Sequence, residues 1–444
     1  MEKLFVLMLL LLFIITKAEG QPDNMNEKIL ALTNTETYQY RNIYIDLHKN
    51  PELSLMEFET SKKLAEELKS IGFDVTTSVG GNGVVGIFKN GEGKVIMLRT
   101  DMDALPIKEN SGLDFSSYVI MKDASGAELP AMHACGHDLH MATWLGTLRT
   151  LVALRNEWKG TIMAVAQPGE EGSLGAIAMI NDGLFRKFPV PDFALCYHVS
   201  AELPAGTIGY LPGPILAGVN SAEITVYGSG GHGAMPHTTI DPIVIAARII
   251  LDIQTIVSRK INPVKPAVVT VGAIHGGIKH NIIPDEVKML LTIRFFEDDV
   301  FKIVKESLIN ITRGAAISAG LPENKMPLVV FDSSDNRPVS NNPDLVLTSI
   351  KSMKTILGEN NVIQVDPSTA AEDFGKYGLT GEKIPIALFW LGGVNKNKYV
   401  DHIDKGTFLP PLHNSSFAPD FDPAFKCGVA AMTRTIIDLL GDKK

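Results

Sequence analysis

The chain has 444 residues, more than one typical domain, so two domains are expected. Hydrophobic residues make up 45% and charged residues 20%, which suits a globular protein with a substantial core. The net charge is −9 and no long basic run occurs, which excludes electrostatic capture of nucleic acid.

The amino-terminal stretch "MEKLFVLMLLLLFIITKAEGQPD" carries Lys3, then the apolar run Leu4–Thr16, then Ala18-Glu19-Gly20. That layout predicts a secretory signal over residues 1–20, cleaved after Gly20. The apolar run is shorter than the roughly 20 residues a membrane span needs. The expectation is an exported protein, placed in a periplasm, a secretory lumen or the exterior, that meets a membrane only during export. Export implies an oxidising compartment, yet the chain has three cysteines, so at least one thiol stays unpaired in a monomer. Cys196 in "FALCYHV" and Cys427 in "FKCGVAAM" read as core. Cys135 stands apart, because "AMHACGHDLH" surrounds it with His133, His137 and His140.

Past the signal, helix-like and strand-like segments alternate. "YRNIYIDLHKN" and "EFETSKKLAEELKSIG" have helical spacing, the second ended by Gly72. "GVVGIF" and "KVIMLRT" read as buried strands, "LHMATWLGTLRTLVALR" as a long helix, and "GTIMAVAQP" and "DFALCYHV" as further strands. This order predicts an α/β sheet layered by helices. The next stretch has its own sequence of elements. "AEITVYG" is a strand; Asp241-Pro242 opens the helix "PIVIAARIILDIQTIVSRK"; "PAVVTVGAI" and the alternating "EVKMLLTIRFF" are strands; "DDVFKIVKESLINITRGAAISAG" is a helix and "MPLVVF" a short strand. The order β-α-β-β-α-β is the ferredoxin-like pattern. α/β signals then resume with the helix "PDLVLTSIKSMKTILG", the strand "IPIALFWLG" and a helix from about Pro423. The expected architecture is a discontinuous α/β domain, residues 21–217 and 334–444, with a small ferredoxin-like domain inserted at 218–333.

Several strand-like runs end in polar residues: Asp101 and Asp103, Glu170 and Glu171, and His198. In open α/β sheets, sites form beyond the carboxyl ends of strands. Three such strands together with "MHACGHDLH" predict one common site. Thiolate, imidazole and carboxylate together suit borderline or soft metals, and Cys135, His137, Glu171 and His198 supply that mixture. In "GEEG" one carboxylate would bind metal while the other handles protons on an activated water. Cys135 as a nucleophile is the competing reading. Nearby carboxylates disfavour a free thiolate, whereas metal coordination deprotonates a thiol outright.

At this point the motifs resemble a known family. "HKNPELSLME" (48–57), "RTDMDALPI" (99–107), "MHACGHDLH" (132–140), "QPGEEG" (167–172), "GSGGHGAMPH" (228–237), "NIIPD" (281–285), "AEDF" (371–374) and "LHNSSF" (412–417) are similar to motifs of the two-metal amidohydrolases. That group includes hippurate hydrolases, N-acyl-amino-acid amidohydrolases and indoleacetyl-amino-acid hydrolases, within the aminoacylase/carboxypeptidase superfamily. The resemblance spans about residues 36–440. It implies hydrolysis of the amide of an N-acyl amino acid, with two divalent ions per subunit (zinc, manganese, cobalt or nickel). The implied ligands are Cys135, His137, Glu171, His198 and His413, with Cys135 able to bridge; only the resemblance singles out His413 from the loop "PPLHNSS". It also implies Glu170 as general base and then acid. The inserted unit becomes a lid and homodimerisation domain that brings His232 to the substrate carbonyl from a neighbouring subunit. Asn281 and Arg294 become candidates for binding substrate polar groups, and His237 and His280 are expected to be structural. Within "HACGHDLH", His133 is expected behind the ligands, Asp138 as the residue that orients a ligand, and His140 at the start of the following helix. Departures from the family are Leu139 and Leu291, each in place of a usual Gly, and Gly169 and Gly233 in place of small residues; Leu139 is expected to reshape the pocket floor. The rival functions are a metallo-dipeptidase or carboxypeptidase, a cysteine amidase, and a non-catalytic exported binding protein.

Overall fold

The structure, a computed structural model, describes residues 24–123, 125–333 and 336–441. The expected signal at 1–20 lies outside the described residues. Helices α1 (Asn24–Lys49) and α2 (Phe58–Ser70) precede strands β1 (Asp74–Val79), β2 (Gly83–Asn90) and β3 (Val95–Asp101). Helix α3 (His137–Ala153), β4 (Gly160–Gln167), α4 (Gly175–Asn181), β5 (Phe193–Pro204) and β6 (Ile208–Tyr210) follow. After an insertion the same layer resumes with α7 (Pro343–Leu357), β11 (Val362–Gln364), β12 (Ile386–Val394) and α8 (Phe421–Leu440). The strands form one eight-stranded sheet in the order β1-β2-β4-β3-β5-β12-β6-β11.

The centre of this sheet is parallel: β3 pairs in parallel with β4 and β5, and β12 with β5. Parallel central strands are buried on both faces, which is why "TIMAVA" and "IALFWL" are continuous apolar runs rather than alternating ones. Two buried clusters, one per face, sandwich the sheet. Cys427 on α8 packs in one and Cys196 on β5 in the other, so both read correctly as core. Because the central strands point the same way, their carboxyl ends gather at one edge. β5 is longer than its sequence suggests. It runs past His198 to Pro204, because β12 continues the ladder with Leu391 opposite Val199 and Gly392 opposite Ser200.

The insertion carries β7 (Gly218–Tyr227), α5 (Pro242–Thr255), β8 (Ala267–Gly276), β9 (Glu286–Phe295), α6 (Asp298–Ser318) and β10 (Leu328–Phe331). Its sheet order is β8-β9-β7-β10, antiparallel throughout, which is the ferredoxin-like arrangement. Val287, Met289, Leu291, Ile293 and Phe295 turn inward on β9 as their alternation requires, and join a separate buried cluster with α5 and α6. Asp241 caps α5 by accepting from the Ile243 amide at 2.9 Å, ahead of Pro242 at the first helical position. Between β7 and α5 the chain makes a tongue in which Gly231–His232 pairs with Ile282–Ile283. No helix among the described residues is long and apolar enough to cross a membrane.

Leu139, expected at the pocket floor, is fully buried in the main core cluster and does not line the cavity over the candidate site. Leu291 is likewise a core residue of the insertion.

A candidate metal centre at the carboxyl edge of the sheet

Helix α3 starts immediately after "ACG". Gly136 has φ +76°, and a Cβ there would lie 2.6 Å from Val199 Cγ1, so glycine is the residue this turn accepts. The turn aims Cys135 and His137 at β5. Cys135 Sγ lies 3.5 Å from His198 Nε2 and 3.2 Å from His413 Nε2. His413 Nε2 is 3.4 Å from Glu171 Oε1, and His137 Nε2 is 3.9 Å from the same oxygen and 3.9 Å from Glu170 Oε2. Two ligands of a tetrahedral ion, with bonds of about 2.0–2.3 Å, stand about 3.3–3.8 Å apart. The spacing among sulfur, imidazole and carboxylate falls in that range or within a few tenths of an ångström of it. Among the described residues, two of the donor triads whose ligand atoms lie within 4.8 Å of one another, Cys135–His137–His198 and Cys135–Glu171–His413, share Cys135.

The electrostatics point the same way. Burial and the carboxylates of Glu171, Glu170 and Asp101 push the Cys135 thiol well above its usual range. Burial, helped by Glu372, Glu171 and Asp373, does the same to Glu170. Burial alone would depress His137, but Asp101, Asp103 and Glu171 outweigh it and raise the imidazole to about 10. His137 Nε2 and Glu171 Oε1 are buried without a hydrogen-bond partner, a costly arrangement unless something else binds them. A cation answers all four observations, and the donor set fits a divalent metal. A thiol held protonated in this way is a poor nucleophile.

The surrounding residues hold these groups in place. His198 Nδ1 lies 2.9 Å from the Val199 carbonyl, which can only accept, so Nδ1 carries the proton and Nε2 offers its lone pair toward Cys135. Asp103 accepts from Ser54 Oγ at 2.5 Å and from the Glu171 amide at 3.0 Å, and stands 3.4 Å from His137 Nδ1. Buried Arg99 donates to Asp101 at 2.7 Å and to Glu372 at 2.9 Å, tying the end of β3 to the "AEDF" loop. Gly169 takes φ +60° in the turn before Glu170, and its amide donates to Glu57 at 2.8 Å. Gly169 therefore suits its turn, and departs from the family pattern without strain.

His413 comes from a loop, and its residue has φ +63°, a left-handed conformation that a non-glycine residue rarely holds. Its amide donates to the Ala134 carbonyl at 2.9 Å, fastening the loop to the cysteine turn. Nothing periodic in "PPLHNSS" signals this, which is why reading the residues alone misses it.

A cavity of about 450 Å³ opens over the donors, lined by Cys135, Glu170, Glu171, His198, His413 and, from β9 of the insertion, Arg294. Arg294 is its one Lys or Arg. The structure thus brings every sequence-predicted metal ligand, Glu170 and Arg294 to one place. His232 and Asn281 are elsewhere. They lie side by side on the exposed tongue, where the Gly233 amide donates to the Asn281 carbonyl at 2.9 Å, and neither lines the cavity of its own chain. His237 and His280 are exposed on the insertion as well.

Within "HACGHDLH" the expectation for Asp138 is corrected, while His140 does stand in the first turn of the helix and does more there. Asp138 touches no ligand; it accepts from His48 Nδ1 at 2.6 Å, while His48 Nε2 donates to Glu109 at 3.0 Å. His140 does not merely begin the helix: its Nδ1 lies 2.7 Å from Asp101 and its Nε2 accepts from the Val199 amide at 2.7 Å. The spacing of the motif fixes which residues share a face of α3, not which distant groups meet them. His133 is buried with neither ring nitrogen hydrogen-bonded, and burial lowers it to about 4.

Known proteins resemble this chain in sequence and fold. The profile of peptidase family M20/M25/M40 matches residues 97–409. A thermostable carboxypeptidase 2 of Saccharolobus solfataricus is 36% identical over 395 residues, covering 87% of this chain and 91% of its own. An N-acetyl-L-cysteine deacetylase of Bacillus subtilis is 35% identical over 377 residues, covering 85% and 83%. A dinuclear metal binding peptidase of the M20 family from Bacillus subtilis superposes with a TM-score of 0.72 at 27% identity, over 92% of this chain and 100% of that one. The match over most of the chain, together with the shared fold, places this protein in peptidase family M20/M25/M40.

Proposed function

We propose that the protein hydrolyses the amide bond of N-acyl amino acids to a carboxylic acid and a free amino acid. The observation that carries this is the pair of donor sets sharing Cys135, with Glu170 beside them and uncommitted to either. Cys135, His137 and His198 would hold one divalent ion, and Cys135, Glu171 and His413 the other. When bound, such ions acidify water and polarise an acyl carbonyl. Glu170, 6% exposed and at the cavity wall, takes the proton of the attacking water and returns it to the departing nitrogen. The Arg294 guanidinium lines the cavity with no hydrogen-bond or ion-pair partner among the described residues, and is placed to hold the carboxylate of the substrate.

His232 and Asn281 serve a second copy of the chain in this reading, since their tongue is exposed and remote from their own cavity. His232 then helps hold the oxygen on which charge develops. The exposed apolar residues Met235, Ile278 and Ile282 on the same tongue, with Val244 and Leu251 on α5, support a homodimer through the insertion. The amino-terminal segment supports export. A dipeptidase or carboxypeptidase activity on the same groups is the second reading, favoured by the 36% identical carboxypeptidase.

The test is a hydrolysis screen of N-acetyl amino acids, N-benzoyl amino acids and dipeptides, after chelation and after restoring zinc, manganese, cobalt or nickel. Rates highest on N-acyl amino acids and abolished by chelation support the first reading. Dipeptide rates that exceed them support the second. Activity that survives chelation but not thiol alkylation would point to a cysteine amidase, and failure to bind any metal to a binding protein. Glu170→Gln should keep its metal and lose at least about 10²-fold in turnover, the usual scale of acid–base catalysis.

A further inference from the structure

His140 uses both ring nitrogens. Nδ1 faces Asp101 Oδ1 at 2.7 Å, and the other oxygen of Asp101 accepts from Arg99 Nη1 at 2.7 Å. Nε2 accepts from the Val199 backbone amide at 2.7 Å. A backbone amide only donates and the Asp101 carboxylate only accepts, so the ring is the neutral form protonated at Nδ1. With both nitrogens committed, His140 is not a metal ligand, although it lies within donor distance of Asp101 and His137.

Val199 is where these contacts converge. Its carbonyl takes the Nδ1 proton of His198 at 2.9 Å, and its side chain packs against Gly136 in the cysteine turn. Its amide needs a partner, because the pairing of β3 with β5 ends at Arg99–Cys196. His140 supplies that partner from α3. Its ring also stands between two candidate ligands, edge-on to His198 at 4.8 Å and stacked on His137 at 5.2 Å.

We infer that His140 is a positioning residue: it clamps the Val199 backbone, and through that residue it fixes the tautomer and aim of His198. The line Glu372–Arg99–Asp101–His140–Val199–His198 is continuous and buried, so the "AEDF" loop reaches the metal site through hydrogen bonds. The inference rests on His198 being a ligand.

The experiment compares wild type, His140→Phe and His140→Gln by metal titration of the chelated protein and by the visible spectrum of the cobalt(II)-loaded protein. Phenylalanine fills the site without hydrogen bonds, and glutamine restores an acceptor for the Val199 amide. Removing a group that orients a ligand typically weakens metal binding about 10–100-fold. The expected result for His140→Phe is a loss on that scale at one of the two ions, the other unchanged within about threefold, with shifted cobalt bands; His140→Gln recovers part of both. Affinities and spectra equal to wild type in folded His140→Phe overturn the inference. So does an equal loss at both ions that glutamine does not recover. Should His140→Phe fail to fold, His140→Leu, which is smaller and equally lacks an acceptor, decides: weakening confined to one ion supports the inference, and unchanged affinities sink it. Wild type that binds no metal removes the function proposed above instead, so the two failures are distinguishable.

Discussion

Cys135→Ala separates the shared-ligand role from every other role the thiol has been given. Cys135 Sγ is 3.5 Å from His198 and 3.2 Å from His413, and it belongs to both donor sets, so its removal leaves each set with two donors. A residue that only orients a ligand is worth about 10–100-fold in affinity, and a direct donor is worth at least the upper end of that range. An ion present at about 100 times its dissociation constant stabilises the folded protein by about 2.7 kcal/mol, and one present at its dissociation constant by about 0.4 kcal/mol. Metal-loaded wild type should therefore exceed its chelated form by about 5 kcal/mol, and the variant by less than about 1 kcal/mol. The assay is denaturant unfolding with and without metal, alongside metal content after dialysis. Both ions should be lost together. A variant that keeps two ions per chain and the full metal-dependent increment, yet loses turnover, would refute the shared-ligand reasoning and return Cys135 to the role of nucleophile.

Arg294→Met should raise KM for N-acyl amino acids about 10–100-fold, the worth of a hydrogen bond to a charged group, and leave substrates with an esterified carboxylate unaffected; equal effects on both would remove the guanidinium from carboxylate binding. Leu139→Ala should cost about 2–5 kcal/mol of stability, because the side chain is fully buried in the main core, without changing the order of preferred substrates; altered preference with unchanged stability would restore Leu139 to the pocket. His48 carries a pH prediction. Burial alone would lower its pKa, but Asp138 and Glu109 raise it from 6.5 to about 9 in the folded chain. The stabilisation is then fully present below pH 6.5 and is lost as pH rises through 9, a swing of roughly 3 kcal/mol. Melting temperature followed from pH 6 to 10 should fall in wild type and much less in His48→Asn; parallel curves for the two would dismiss the pairing.

The strands and helices were legible because parallel central strands must be apolar on both faces, while the insertion announces itself by alternation on β9 and a Pro-capped helix. The donors near those elements were legible for the same reason: Cys135 and His137 stand at the start of α3, Glu171 lies between β4 and α4, and His198 closes the apolar run of β5, although the strand itself continues to Pro204. His413 was not, since it reaches the site through a loop held in a left-handed conformation that no pattern encodes. The histidines and aspartates of "HACGHDLH" were only half legible. Spacing places residues on one helix face, but whether Asp138 meets a ligand or His48, and whether His140 meets solvent or Val199, depends on chain segments about 60–90 positions away that tertiary packing alone brings close. Arg294 and His232 show the same limit across the domain boundary, where one reaches the cavity and the other turns away from it.

The divided layout of the main sheet also constrains the order in which the protein can be made. β5 pairs with β12, so Ala194 must wait for Ile386, about 190 residues later, and long-range parallel pairing of this kind is intrinsically slow. The insertion lies wholly inside that gap and owns a separate core, so it can close while the larger sheet is still missing its centre. On an emerging chain, Cys135, His137, Glu171 and His198 are all synthesised long before β12 completes the sheet, and His413 arrives only after it. The Cys135 thiol thus passes through synthesis without its full set of neighbours, and a complete pocket exists only once nearly the last segment of the chain is available.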